Sequence, residues 1–231
     1  MKQIAWKYCS LLAGAILMLS VSSAQAQFAL NTSIPSSPVD TFDWSTLGTT
    51  YTNITTPASI TAIGGLTATV DNGGGTPERL DEGNGWSGNF ANGAPLLWNQ
   101  GNENNITLTF SSPVTAAGAQ IQADDYGSFT AEISLYGASN NLLTSFTENG
   151  ASNDDNVNSA IFIGARSTTG TADIYAISFG TPEAVGGNNF AIGNVLVGVP
   201  EPASSYAGWA GILACGLVAL HRSFRKRELQ S

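Results

Sequence analysis

Phe129-Thr130-Ala131-Glu132-Ile133-Ser134-Leu135-Tyr136 is the stretch on which the reading of the fold turns. Apolar and polar residues alternate through it, the period of a strand with one face in a core and one in water. The pattern recurs at Ile106, Leu108 and Phe110, separated by Thr107 and Thr109, and at Leu66, Ala68 and Val70. Tyr175, Ile177 and Phe179 repeat it. Residues 160–164 and 190–197 are more continuously apolar, as strands buried on both faces are. No segment of the same region carries a clear 3.6-residue period. Turn signals punctuate it at Asn72-Gly73-Gly74-Gly75, Asn84-Gly85, Asn92-Gly93, Asn149-Gly150 and Gly186-Gly187-Asn188-Asn189. Roughly eight short strands between polar turns predict an all-β chain folded as a single β-sandwich, jelly-roll-like, over residues 27–199. Residues 71–105, rich in glycine and asparagine, read as a large loop region with one short strand near residues 95–98.

Charge is segregated. Residues 27–199 hold two arginines, Arg79 and Arg166, against fifteen aspartates and glutamates, a net of about −13. So acidic a body repels phosphate backbones, which argues against nucleic acid as a partner. The single histidine, His221, and both cysteines, Cys9 and Cys215, lie outside it. The body therefore has no side chains for a Ser-His-Asp triad, a cysteine nucleophile, a His/Cys zinc site or a disulfide.

The two ends read as addresses. In residues 1–26, Lys2 and Lys7 precede the apolar run Leu11-Leu12-Ala13-Gly14-Ala15-Ile16-Leu17-Met18-Leu19. Ala24-Gln25-Ala26 then supplies a small-x-small cleavage site, so the stretch reads as a secretory signal peptide and the mature chain is expected to begin at Gln27. At the other end, Pro200-Glu201-Pro202 forces an extended backbone. Residues 203–220 carry no charge, and at ~1.5 Å per residue a helix there is about 27 Å long, close to the hydrocarbon thickness of a bilayer. Arg222, Arg225, Lys226 and Arg227 form a basic stop that holds this end on the cytoplasmic side. The helix is mostly small residues, five alanines and three glycines among them, so it is weakly hydrophobic for a lasting anchor and permits close approach of another helix.

This tail, Val199-Pro200-Glu201-Pro202 followed by a short apolar helix and a basic cluster, resembles the PEP-CTERM sorting signal of exopolysaccharide-producing Gram-negative bacteria. The resemblance covers residues 200–227, with all three parts in order. It implies export through the Sec translocon, cleavage by signal peptidase and a transient stay in the inner membrane. Processing by exosortase would follow, with delivery to the cell surface or extracellular matrix. Pro200, Glu201 and Pro202 would be the recognition motif, and Arg222, Arg225, Lys226 and Arg227 the retention charges. The body also resembles, more diffusely, the β-rich domain upstream of many such tails, through residues 106–110, 114–121 with Gly118, 129–136, 162–164 and 190–192. Relatives commonly carry an aspartate at the position of Gly193, where related binding modules hold a structural calcium, so the glycine speaks against that site here.

Two sets of residues in the body are candidates for chemistry. Asp154 and Asp155, flanked by Asn153 and Asn156, and the pair Asp124-Asp125 offer oxygens of the kind calcium takes six to eight of. The carboxylates read first as solvated acidic loops that keep the protein soluble, and their rival reading is the acid–base pair of a secreted glycoside hydrolase, which needs two acids at a set separation across a sugar. Trp86 and Trp98, with Asn84, Asn89 and Asn99 nearby, could stack on and hydrogen-bond to a glycan, whereas Trp44 reads as core. Arg79, among Glu78, Asp81 and Glu82, reads as part of a surface ion pair. Taken together these features predict an exported, non-catalytic structural or adhesive protein associated with exopolysaccharide, with glycan or calcium as candidate ligands.

Overall fold

A computed structural model of the chain describes residues 27–33 and 39–199. The predicted signal peptide, the Pro-Glu-Pro motif, the membrane helix and the basic cluster lie outside the described residues. Among these residues the fold is all-β, with sixteen strands and one short 3-10 helix over Trp44–Leu47. The strands form two antiparallel sheets of ten and six, an arrangement consistent with a β-sandwich. One two-residue parallel pairing is the exception.

The six-stranded sheet holds the strands most plainly written in the alternation. Its order is β12 (Leu142–Ser152), β11 (Gly127–Tyr136), β14 (Ile174–Gly180), β9 (Ile106–Val114), β5 (Thr67–Asp71) and β4 (Ala58–Thr61). Phe129, Ala131, Ile133 and Leu135 of β11 and Ile106, Leu108 and Phe110 of β9 all point into the core, as their period requires. In β14 the expectation is off at one end. Ile177 and Phe179 are buried, but Ile174 takes the inward place assigned to Tyr175, because the register with β9 slips between Ile174 and Ala176.

The ten-stranded sheet is built around β10 (Ala116–Ala123), which pairs from Ala116 to Ile121 with β13 (Ile161–Ser167). Beyond β13 lies β1 (Phe28–Asn31). On the other side of β10 the partner is divided. β15 (Phe190–Ile192) bonds its upper half and β16 (Val195–Gly198) its lower half. The continuous strand expected over 190–197 is thus broken at Gly193-Asn194, and Trp44 holds the break. Its indole nitrogen donates to the Gly193 carbonyl at 2.8 Å, and its amide donates to Asn194 Oδ1 at 3.1 Å. Trp44 is fully buried, as expected of a core residue. From this fork β16 continues to β2 (Val39–Phe42), while β15 continues to β8 (Pro95–Trp98), β6 (Glu78–Glu82) and β3 (Thr52–Asn53).

Residues 71–105 are therefore not one long loop. They supply β6, β8 and the two-residue β7 (Gly85–Trp86), which pairs with β6. The stretch 114–121, singled out above with Gly118, is also divided: Val114 ends β9 in one sheet, and the chain crosses at Thr115 into β10 of the other.

That crossing marks one pole of the molecule. Thr115 donates from its amide and its hydroxyl to the Gly198 carbonyl, at 2.8 and 3.0 Å. Ser167 donates to the Thr115 carbonyl at 2.7 Å, and Thr168 to the Gln27 carbonyl at 2.9 Å. Gln27 and Gly198, near the two ends of the described chain, thus lie at the same end of the sheet, with β13 and β10 between them. The other end of β10 lies at Ala123-Asp124, about 25 Å away at ~3.3 Å per residue. There the loops that begin at Asp124, end at Asn189 and follow Trp98 come together, joined by hydrogen bonds from Asp124 to Asn189 and from Asn99 to Asn188.

Between the sheets the core is continuous, and Phe42 stacks on Phe110 with ring centroids 5.9 Å apart. Gly118 faces Gly164 across β10 and β13, with the Phe162 ring lying over both. A Cβ on Gly118 would stand 2.6 Å from Gly164 Cα and 2.6 Å from the Phe162 ring, whereas one on Gly193 meets nothing closer than 3.6 Å. Gly118→Ala is therefore expected to cost about 1–3 kcal/mol by overpacking, and Gly193→Ala to stay within about 0.5 kcal/mol. Urea unfolding midpoints of the two variants check the contrast, and equal midpoints contradict it.

Candidate functional site

The upper part of the ten-stranded sheet carries a second hydrophobic cluster on its outer face: Leu80, Trp86, Phe90, Leu96, Ala160 and Ala191. A sheet face this apolar needs a cover, and the segment between β6 and β8 provides it by folding back over the strands that flank it. Three buried polar side chains pin it down. Glu82, on the same face of β6 as Leu80, is 1% exposed, and its carboxylate accepts from the Gly88 amide at 2.8 Å and the Phe90 amide at 3.3 Å. Gln122 of β10 accepts from the Asn89 amide at 2.6 Å and donates to Ser152 Oγ and the Asn153 carbonyl, at 2.7 and 2.9 Å. Asn89 extends the grip to the loop after β12. Its Nδ2 donates to Asn153 Oδ1 at 2.7 Å and Ser159 Oγ at 2.8 Å, and its Oδ1 accepts from the Asn153 amide at 2.8 Å.

Burial pushes the Glu82 carboxyl above its ordinary value, against the opposing pull of the Gly88, Phe90 and Gly83 amides, and Asp155 adds a smaller upward push. Asp124, at the tip, is raised chiefly by burial too, with Asn189 donating to it at 2.7 Å and Asp125 repelling it. Tyr126, 53% exposed, donates from its hydroxyl to the Ser87 carbonyl at 3.2 Å. Its pKa is raised by desolvation first and then by Asp154, Glu82 and Asp124. These couplings place Glu82, Asp124, Asp154 and Tyr126 in one neighbourhood.

The two tryptophans lie on the margin of that neighbourhood, with ring centroids 6.3 Å apart and a 57° tilt. They are unequally placed. Trp86 is 5% exposed and packs into the covering segment, so it offers no open ring face to a sugar. Trp98, half-buried, keeps part of its ring open. Its indole nitrogen donates to Asn189 Oδ1 at 2.7 Å, and Asn189 is in turn held by Asp124. Of the amides expected beside the rings, Asn89 and Asn99 are buried in structural bonds, and Asn99 accepts from the Phe190 amide at 3.0 Å.

Asp154 and Asp155 both lie on the exposed loop 153–159. Asp155 Oδ1 accepts from the Val157 amide at 3.2 Å and the Ser159 hydroxyl at 3.2 Å, closing the loop on itself. Among the described residues no group of three or more His, Cys, Asp and Glu side chains is placed to hold a metal ion. Arg79 departs from expectation in depth only. It pairs with Asp81, Nη1 to Oδ1 at 2.5 Å, with the guanidinium buried while the Asp81 side chain stays 26% exposed. Burial works against the charged Asp81. The Thr50 and Arg79 hydrogen bonds and the Arg79 charge outweigh it and hold the carboxyl below its ordinary value.

Sequence reasoning did not single out Glu82, Gln122 or Asn89 as a set. The one signal available was Glu82 in strand register with Leu80, a charge on a face that must be covered. Compared with protein-family models and with curated proteins, the chain matches none.

Two measurements test this geometry. A carboxyl raised by folding prefers its proton in the folded state. Its favourable contribution is therefore present below the unfolded value, about 4.5, and is lost as the pH rises through the raised value. Glu82→Gln removes that titration, so wild-type stability measured against the variant should fall as the pH climbs above about 4.5. A difference that is flat with pH contradicts it. With Asp155 committed to its own loop, millimolar calcium should leave the melting temperature where chelator leaves it, and a rise of several degrees would put a calcium site back in the loops.

Proposed function

We propose that this chain is an exported bacterial protein whose folded body, a jelly-roll-like sandwich, is a non-catalytic structural or adhesive module of the envelope or extracellular matrix, associated with exopolysaccharide. In this reading the Sec translocon and signal peptidase release the body at Gln27, the tail after Val199 holds it briefly in the inner membrane, and exosortase removes the tail. The observation that carries the reading is the ordered triplet of Pro200-Glu201-Pro202, an uncharged eighteen-residue segment, and Arg222, Arg225, Lys226 and Arg227.

The fold supports it in one respect. Gln27 and Gly198 lie at the same pole, tied through Thr168, Ser167 and Thr115. Both predicted cuts therefore fall on one side of the body, and the opposite pole, with Asp124, Tyr126, Asn189 and Trp98, points away from the membrane. Glycan contact is assigned to that far pole, with the open part of the Trp98 ring as its stacking surface and Trp86 as its buried support. Glu82, the deepest carboxyl of the neighbourhood, is spent on backbone amides.

Mass spectrometry of the mature protein from an exosortase-bearing host is expected to find a chain starting at Gln27 and lacking the basic cluster. The intact tail in the membrane fraction contradicts the sorting step. In a pull-down with the host's own polysaccharide, Trp98→Ala should reduce retention about tenfold with no sugars released. Release of sugars that is lost on Asp124→Asn would instead identify a carboxylate-dependent hydrolase.

A further inference from the structure

We propose that Tyr51 is a second sugar-stacking residue, which with Trp98 brackets a strip for a polysaccharide chain free of acidic groups. The strip crosses the outer face of β8, β6 and β3, so the inference rests on the glycan reading above and extends it from the far pole to the sheet edge. Its first mark is the backbone. Among the described residues five non-glycine residues have positive φ, and three of them are asparagines, which tolerate it. The other two are Tyr51, at φ 67°, and Gln100, at φ 55°. A bulky residue in that conformation is strained, and such strain gathers at ligand clamps. Tyr51 is also 61% exposed, so burial of its ring does not offset the strain.

The two strained residues meet at Asn53. Strand register sets Trp98, Glu78 and Asn53 side by side on β8, β6 and β3, with their side chains on one face. Tyr51 enters β3 on the same side. Its amide donates to the Arg79 carbonyl at 2.8 Å, and its ring lies against Gly85 beside Leu80. A Cβ on Gly85 would stand 3.1 Å from Tyr51 Cε1, so the glycine leaves the ring its place. At ~4.8 Å per strand and ~3.3 Å per residue, Tyr51 and Trp98 stand about 12 Å apart across the face.

Polar groups fill the interval between the rings. Gln100 Nε2 donates to Asn53 Oδ1 at 2.7 Å. Among the described residues Asn53 Nδ2, Gln100 Oε1 and the Glu78 carboxylate have no hydrogen-bond partner. Two rings offer faces to the C–H surfaces of a sugar chain, and the free donor and acceptors between them suit its hydroxyls. Glu78 within the strip and a body of net charge near −13 repel an acidic chain, which sets the ligand class.

The test is retention of the chain, purified from its host, on the host's exopolysaccharide separated by anion exchange into neutral and acidic fractions. The wild type is expected to bind the neutral fraction at least fivefold better than the acidic one. Tyr51→Gly suits the left-handed backbone. It should unfold at a urea midpoint no lower than the wild type and yet lose about tenfold in retention. Asn53→Ala, at an exposed position, should lose retention severalfold by itself. A lower midpoint for Tyr51→Gly, or retention of both variants within twofold of wild type while Trp98→Ala loses it, overturns this inference and leaves the glycan reading standing. A wild type held by neither fraction overturns both, and preference for the acidic fraction overturns the ligand class.

Discussion

The upper half of this structure depends on one carboxylate. Glu82 stands on an apolar sheet face among Leu80, Leu96 and Ala191, where an uncompensated charge is costly. It is tolerable there because the amides of Gly88 and Phe90 turn inward to meet it. Meeting it obliges the chain between β6 and β8 to fold back over the face, which seats Phe90 and Trp86 on the cluster. The cover in turn places Asn89 where it can bond the loop after β12. A single desolvated acid thus decides which side chains of the pole are buried and which are left open.

The lower half rests on a different device. Gly118 and Gly164 bring β10 and β13 together closely enough for Phe162 to lie across them. Thr115 bonds the last described strand to the point where the chain changes sheets. Trp44 holds the fork at Gly193-Asn194 from which both branches of the ten-stranded sheet spread. The consequence is a body with a sharp division of labour: a pole that holds both ends of the described chain, and a far pole of loops rich in asparagine and aspartate.

The sequence made the inner faces of β9 and β11 legible because their apolar residues alternate and all of them reach the core. β6 was hidden for a physical reason. Four of its five residues, Glu78, Arg79, Asp81 and Glu82, are charged, and the strand is stable only because Arg79 and Asp81 pair while Glu82 finds amides. Those partners lie far off in sequence or depend on the backbone path, which composition does not reveal. β12 was hidden by its polar character, having serine and threonine outside and only Leu143 and Phe146 resting on the core. At the candidate site, residue type singled out Trp86, Trp98, Asp154 and Asp155. It could not show that Trp86 faces inward or that Asp155 closes its own loop. The proposed reading of the tail rests on the sequence alone.

Amide hydrogen exchange at Gly88, Asn89 and Phe90 tests the central claim most directly. If Glu82 and Gln122 hold the covering segment to the sheet, these three amides exchange as slowly as those of the central strands β9 and β10 and open with the whole domain. Exchange on the timescale of the exposed loop 153–159 would mean that the segment lifts freely, and that the buried carboxylate does not organise this pole.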